Sequence, residues 1–254
     1  MTRLPDAFLK APIAHRGLHD VSSGRPENSP AAFLAAIEAG VGIELDLQLS
    51  KDGEAMVFHD YDLGRVTGET GPVRQRTAAE LGAIALTGGS DTIPTLKQVL
   101  ALVDGRVALL IELKDQDGAM GPETGPLEAA TARALQGYNG PVALMSFNAW
   151  SVAEAARVMP ELPRGLVTAP FDPEEMSLVP EARRETLRKI ADYDRVGACF
   201  ISHSHTDLAS ERVAELKSLG ADILCWTIRS QEQEDEARKV AANVTFEGYT
   251  PSRA

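Results

Sequence analysis

The chain has 254 residues, 44% of them hydrophobic and 24% charged, enough for one large domain spanning 1–254 with a full apolar core. Its formal net charge of −12 argues against nucleic acid and against stable association with an anionic membrane surface. The opening MTRLPDAFLKAP holds no long apolar run, and Cys199 and Cys225 are too few for a disulfide framework, so a reduced, cytoplasmic protein is expected.

Strand-like and helix-like segments alternate along the chain. Strand patterns cover 12–16, 42–50, 54–59, 107–113, 141–147, 164–168, 197–203, 222–228 and 243–247. Helical patterns cover 29–39, 95–103, 125–136, 149–158, 180–192, 209–219 and 231–241. Such alternation builds a parallel sheet with helical crossovers. Only Lys51-Asp52-Gly53 joins 42–50 to 54–59, far short of a parallel crossover, so this pair reads as an antiparallel hairpin. Eight parallel strands remain, the count of an α/β (β/α)8 TIM barrel with a hairpin after its second strand. The Gly-rich segment 60–94 reads as a small, mobile insertion over the barrel mouth. Too little chain follows 243–247 for a closing helix, and 1–11 is expected to cover the barrel floor instead.

The chemistry concentrates in five short strings. They are Ala14-His15-Arg16-Gly17, Pro26-Glu27-Asn28, Ile43-Glu44-Leu45-Asp46-Leu47, Phe58-His59-Asp60 and Ile111-Glu112-Leu113-Lys114. Glu44, Asp46 and Glu112 interrupt runs that otherwise read as buried strand, and ionised carboxylates rarely sit there without a cation or proton to balance them. An all-oxygen set suits Mg²⁺ or Ca²⁺ better than zinc. The competing reading pairs the three acids with Arg16 and Lys114 as salt bridges. His15 and His59 end a strand and the hairpin, where two histidines can act as general base and general acid on opposite sides of a phosphorus centre. Arg16 and Lys114, the cations of these strings, offer a bidentate grip and a point charge for a phosphate.

Weaker signals lie around this set. Gly17 permits a tight turn and close backbone approach, and Asn28 is either a helix cap or a site residue. Trp226 walls a pocket or merely packs, and Ser146 and Asn148 end a strand where a substrate could reach them. His203-Ser204-His205 has metal-like spacing and reads otherwise as a substrate contact or plain surface, and His19 reads as a solvated loop residue.

With these residues in place, the chain resembles the glycerophosphodiester phosphodiesterase family. His-Arg-Gly, Pro-Glu-Asn, Glu-x-Asp, the Lys-Asp-Gly turn, His-Asp and Glu-x-Lys stand in the family's order over 13–114, and Cys-Trp-Thr-Ile at 225–228 is similar to its late Trp-Thr motif. The resemblance implies a divalent cation on Glu44, Asp46 and Glu112, with His15 and His59 as the acid/base pair. It also implies that Arg16 and Lys114 hold the phosphodiester, with Asn28 and Trp226 as further candidate substrate contacts. A small-molecule glycerophosphodiester would be split into glycerol 3-phosphate and an alcohol, through attack by the neighbouring glycerol hydroxyl or by water.

Ser29, Phe246-Glu247-Gly248 and the Ile-Ser-His-Ser-His stretch depart from the family pattern. The last two are expected on the far side of the mouth, where they would alter the leaving alcohol and leave the catalytic half untouched. The same residues would serve a phosphodiesterase for lysophospholipids or sugar phosphodiesters. Segment 60–94 has Tyr61 as its one aromatic residue, which favours a water-soluble substrate. A non-catalytic phosphodiester-binding barrel would be expected to have lost a histidine or an acid, and all five are present.

Overall fold

A computed structural model describes residues 3–174 and 176–251. Its strands are β1 (Ile13–Ala14), β2 (Gly42–Leu49), β3 (Ala55–Val57), β4 (Leu109–Leu113), β5 (Val142–Ser146), β6 (Arg164–Thr168), β7 (Phe200–Ser204), β8 (Asp222–Ile228) and β9 (Asn243–Phe246). All but β3 pair in parallel, in the order β1-β9-β8-β7-β6-β5-β4-β2, and a β1–β2 pairing closes the ring. Ile13 is opposite Gly42 on one side and Thr245 on the other. The expected (β/α)8 barrel is present, and β3 is the return arm of the expected hairpin, antiparallel to the upper end of β2.

Helices α1 (Ala7–Lys10), α2 (Pro30–Ala39), α3 (Ala78–Leu81), α4 (Leu96–Val103), α5 (Pro126–Leu135), α6 (Ala149–Val158), α7 (Glu181–Arg188), α8 (Glu211–Ser218) and α9 (Gln231–Ala237) complete the described elements. Local chemistry explains their limits. The Ser29 side chain accepts from Ala32 N at the start of α2, and Gly40, at φ 69°, ends it. In α4, Thr95 and Gln98 form a reciprocal capping box, and Leu96, Val99, Leu100 and Val103 bury one face at i, i+3, i+4 and i+7 spacing. Each such side chain contributes about 1.5–3 kcal/mol relative to exposure. The helix expected over 180–192 stops at Arg188, because Ile190 turns the chain at φ 46°.

The barrel interior follows from alternation along the strands. In β2, Ile43, Leu45 and Leu47 pack outward into the main apolar cluster, leaving Glu44, Asp46 and Gln48 on the opposite face. Lower in the barrel, Ile13, Leu110, Ala143, Val167, Phe200 and Leu224 form an apolar plug. Phe200 fills the space beside Gly165, where any Cβ would come within 2.4 Å of its ring. The floor is sealed as expected from the amino-terminal segment: Leu4 and Phe8 of that segment join the plug, and Asn243 Nδ2 donates to Phe8 O and Ala11 O at 2.7 Å each.

Segment 60–94 is more ordered than its composition indicates. Met56, Phe58, Leu63, Leu81, Leu86 and Ile93 give it an apolar cluster of its own. It therefore stands beside the mouth as a packed shoulder.

Candidate active site

Three carboxylates meet at the upper end of the interior. Asp46 is the register partner of Glu112, and Glu44 lies one inward position below Asp46. One oxygen from each of Glu44, Asp46 and Glu112 falls within 4.8 Å of the others, and all three residues are buried. Burial, together with Asp46 and Glu112, raises the Glu44 carboxyl well above its ordinary range. Burial opposes ionisation of Asp46 as well, yet Lys114, His59, Arg16 and His15 hold its carboxyl far below that range. This crowded, all-oxygen set fits a hard divalent cation, which would relieve the repulsion that Glu44 now meets.

The salt-bridge reading of the acids is met in part. Lys114 Nζ lies 2.9 Å from Asp46 Oδ1 and 2.8 Å from Glu112 Oε1. Burial works against the Lys114 charge, but the same two acids raise its pKa overall. Arg16 pairs through Nη1 with Glu27 at 2.8 Å, and its Nε lies 3.4 Å from Asp46 Oδ2. Glu44 receives a backbone hydrogen bond from Arg16 N at 2.9 Å.

This geometry depends on a bent entry to the site. Arg16 and Gly17 take positive φ values of 55° and 80° in succession. A Cβ on Gly17 would come within 2.9 Å of Ala32 and Phe33, so the close approach expected there is real. Asn28, at φ 55°, does not cap α2, a task that falls to Ser29. Its Nδ2 donates to Asp46 Oδ2 at 2.9 Å, while its Oδ1 accepts from Asp46 N at 3.3 Å. It thereby fixes the carboxylate from two sides.

Both histidines are tied through Nδ1 to a carboxylate. His59 Nδ1 lies 2.6 Å from Asp60 Oδ1, and Gln48 Nε2 donates to His59 O at 3.0 Å. His15 Nδ1 lies 2.6 Å from Glu247 Oε2. Burial lowers the His15 pKa, with Glu247 working against that fall. The hydrogen bond from His15, with the His19 ring close by, holds Glu247 ionised far below the usual carboxylate range. Glu247 also takes Arg229 Nη2 at 2.7 Å. An ionised carboxylate only accepts, so Nδ1 of each histidine carries the proton and Nε2 is left as the basic nitrogen.

Here the structure corrects the sequence reading. The Phe246-Glu247-Gly248 departure does not lie across the mouth from the catalytic half. Strand β9 pairs directly with β1, which places Glu247 against His15. Nor is His19 a free loop residue, since its Nε2 is 3.5 Å from Glu247 Oε2.

A second missed residue is Arg65 of the insertion. It donates to both oxygens of Glu27 at 2.8 and 2.6 Å and to Asp60 Oδ2 at 2.6 Å. His59, Asp60, Arg65, Glu27, Arg16 and Asp46 thus form one continuous polar chain. Among the weaker candidates, His203 is buried between Thr168 Oγ1 at 2.7 Å and Asp207 Oδ2 at 3.2 Å. Ser146 Oγ donates to Leu113 O, and Asn148 caps α6 while donating to Asp115 Oδ1 at 2.7 Å. These three serve packing around the site.

The mouth holds two connected cavities. An inner one of about 160 Å³ is lined by His15, Arg16, Glu44, His59, Glu112 and Lys114, with Trp226 on its wall. Two buried hydroxyls also line it, Ser202 Oγ and Thr245 Oγ, which have no hydrogen-bond partner among the described residues. An outer cavity of about 680 Å³ shares His59, Glu112, Lys114 and Trp226 with it. A cleft that gathers two histidines, Glu44, Glu112 and two cations, with Asp46 directly behind them, is equipped for proton transfer at an anionic centre.

The glycerophosphoryl diester phosphodiesterase family matches residues 15–245. The chain belongs to that family. It is 30% identical to a glycerophosphodiester phosphodiesterase of Caldanaerobacter subterraneus over 244 residues, which span 91% of this chain and 90% of that one. It is also 30% identical to the Bacillus subtilis protein YhdW, across 87% of this chain and 86% of that protein. Among solved structures, an Oleispira antarctica phosphodiesterase in complex with the product sn-glycerol-3-phosphate superposes with a TM-score of 0.77 at 25% identity, covering 95% of this chain and 94% of that one. The enzyme class and barrel fold expected from the sequence therefore stand. No helix among the described residues is long and apolar enough to cross a membrane.

Proposed function

We propose that this protein hydrolyses glycerophosphodiesters to glycerol 3-phosphate and an alcohol in the cytoplasm. In this reading His15 and His59 are acid and base, and Glu44, Asp46 and Glu112 hold a divalent cation, Mg²⁺ or Ca²⁺. The observation that carries it is the inner cavity, where two histidines with carboxylate-bound Nδ1 atoms share one space with Glu44 and Glu112, two of the three clustered acids. The product held by the Oleispira relative is the product proposed here.

The cation would supply charge neutralisation for the phosphate and the developing oxyanion. Arg16 and Lys114 add fixed positive charge beside it and orient the phosphodiester. One histidine, through Nε2, removes the proton of the attacking glycerol hydroxyl or water. The other gives a proton to the leaving alkoxide as its bond to phosphorus breaks. Glu247 and Asp60 keep both rings in the tautomer this exchange requires. Asn28 steadies Asp46, and Trp226 walls the cavity. The unpartnered hydroxyls of Ser202 and Thr245 suit a polyol, since a buried hydroxyl without a partner costs about 1–3 kcal/mol that glycerol could restore.

Glycerol 3-phosphate release from glycerophosphocholine, measured with EDTA and then with added Mg²⁺ or Ca²⁺, tests the reading. Release that EDTA abolishes and a metal restores supports it. Release indifferent to EDTA removes the metal from the proposal, and no release with any metal removes the substrate.

A further inference from the structure

Glu247 faces two imidazole rings. Arg229 holds its Oε1, from Nη2 at 2.7 Å and from Nε at 2.8 Å. Oε2 is left to His15 Nδ1 at 2.6 Å and to His19 Nε2 at 3.5 Å. One ligand-capable atom from each of His15, His19 and Glu247 lies within 4.8 Å of the others. The successive positive φ values of Arg16 and Gly17 turn the chain after β1, and this turn carries His19 back to the end of β9. The His19 Nε2 atom is itself buried, yet it makes no hydrogen bond among the described residues. A ring nitrogen withdrawn from water in this way calls for a partner from outside the chain.

This trio differs in chemistry from the three buried acids. Those offer oxygen alone, whereas two imidazoles and one carboxylate are donors of Zn²⁺ and its transition-metal neighbours, with a fourth position left to water. The geometry agrees. Donors on a tetrahedral zinc with bonds of about 2.0–2.2 Å stand about 3.4 Å apart. His19 Nε2 and Glu247 Oε2 are already 3.5 Å apart. The contact between His15 and Glu247 would open by under about 1 Å as the ion replaces the proton between them. The side chains of His15, His19 and Glu247 are 14%, 24% and 19% exposed, so an ion reaches them from solvent. Arg229 secures the carboxylate by its other oxygen, as outer partners of metal ligands do. Its positive charge also tempers the affinity, so occupancy follows the metal concentration.

We infer that His15, His19 and Glu247 form a second, inhibitory metal site that takes Zn²⁺ or a similar transition metal. The inhibition rests on the function proposed above, whereas the binding does not. His15 coordinates through Nδ1, the nitrogen facing Glu247. The proton on Nδ1 passes to solvent and one from solvent settles on Nε2, so the ring stays neutral with its tautomer reversed. With its Nε2 lone pair taken up by that proton, His15 cannot act as a base. A metal-bound imidazole also surrenders its remaining N–H proton far less readily than an imidazolium does, so His15 fails equally as an acid. Zinc therefore stops turnover whichever role His15 plays. Glu247, which holds the productive tautomer, is also the group through which the metal reverses it.

Cobalt binding and zinc inhibition test the site together. Binding is read on Glu44→Gln, whose acid set is weakened, by titration with Co²⁺. Nitrogen ligands around a four-coordinate cobalt give intense visible bands, which a six-coordinate oxygen set lacks. The bands should appear, and adding His19→Gln or Glu247→Gln should abolish them or raise Kd at least about tenfold. In the parent enzyme at saturating Mg²⁺, Zn²⁺ should inhibit glycerol 3-phosphate release from glycerophosphocholine, and more Mg²⁺ should not relieve it. His19→Gln should raise the inhibitory zinc concentration at least about tenfold, each protein being compared with its own zinc-free rate. Two substitutions on different segments guard against the misfolding of either. Bands that never form, bands and inhibition that survive both substitutions, or relief by Mg²⁺ would overturn the site. Binding at His19 and Glu247 without inhibition, or stimulation by zinc, would overturn its inhibitory role. If no diester is hydrolysed at all, the proposed function fails, while the cobalt spectrum still decides whether the site exists.

Discussion

His15 Nδ1 and Glu247 Oε2 meet at 2.6 Å although 232 positions separate them in the chain. His59 makes the same contact, at the same distance, with its immediate neighbour Asp60. One histidine thus receives its partner from the sequence and the other from closure of the barrel. Both arrangements fix the ring tautomer in the way that conserves a basic Nε2.

Replacing Glu247 by Gln should lower kcat by about 10- to 100-fold, the usual effect of losing a histidine's orienting carboxylate, with KM little changed. The pH profile adds a sign. Burial lowers the His15 pKa from 6.5 and Glu247 opposes that fall. Without the carboxylate, His15 protonates at still lower pH, so the limb of kcat/KM that His15 sets, acid if it is the base and basic if it is the acid, should move downward. A limb that moves upward or stays in place would separate Glu247 from His15 function.

Glu44→Gln removes one of three crowded charges while keeping an oxygen to accept from Arg16 N. Calorimetry with Mg²⁺ or Ca²⁺ should show weakened binding, and activity should fall with it. The metal-free variant should melt no lower than the metal-free parent, because the lost charge was repelled by Asp46 and Glu112. Unchanged metal affinity would take Glu44 out of the ligand set.

Lys114→Met should act in the opposite direction. Its ammonium bridges two buried acids, and removing one partner of such a group costs about 3–5 kcal/mol. Chemical denaturation without metal would register that loss. Added divalent cation should restore more stability to the variant than to the parent, since it would replace the missing charge. Equal responses would argue against a cation among these acids.

Arg65 is half-exposed, so Arg65→Met should change stability by no more than about 1 kcal/mol. The apolar cluster of the insertion does not involve it. Activity should nonetheless drop by about tenfold, because Glu27 and Asp60 lose the group that orients them toward Arg16 and His59. Steady-state kinetics beside a melting curve would show whether the two effects part company.

Ser202→Ala deletes a buried hydroxyl that lacks a partner in the protein. It should leave Tm unchanged or slightly higher while raising KM for glycerophosphocholine about fivefold, the value of one ordinary hydrogen bond. A fall in Tm with KM unaltered would mean that the hydroxyl serves the fold alone.

The sequence announced the part of the site in which charge defies its surroundings. Glu44, Asp46 and Glu112 are conspicuous because Ile, Leu and Val flank them, and strand parity puts them on one face. Lys51-Asp52-Gly53 likewise revealed the hairpin, since so short a link admits one geometry. The partners were harder to read. Nothing in Phe246-Glu247-Gly248 says which strand it will meet, and only the ring order brings β9 to β1. Arg65 lay hidden in a segment whose glycines imitate a loose loop, although Leu63, Leu81, Leu86 and Ile93 anchor it.

The β1–β9 seam has a consequence for synthesis on the ribosome. Strand β1 emerges long before its second neighbour, which is not available until residues 245 and 246 have been added. Pairings so distant in sequence are intrinsically slow to form. A nascent chain that stops short of Glu247 has neither a sealed ring nor an oriented His15. Truncated products should therefore be catalytically silent, and the onset of hydrolysis during translation would report the moment at which the ring closes.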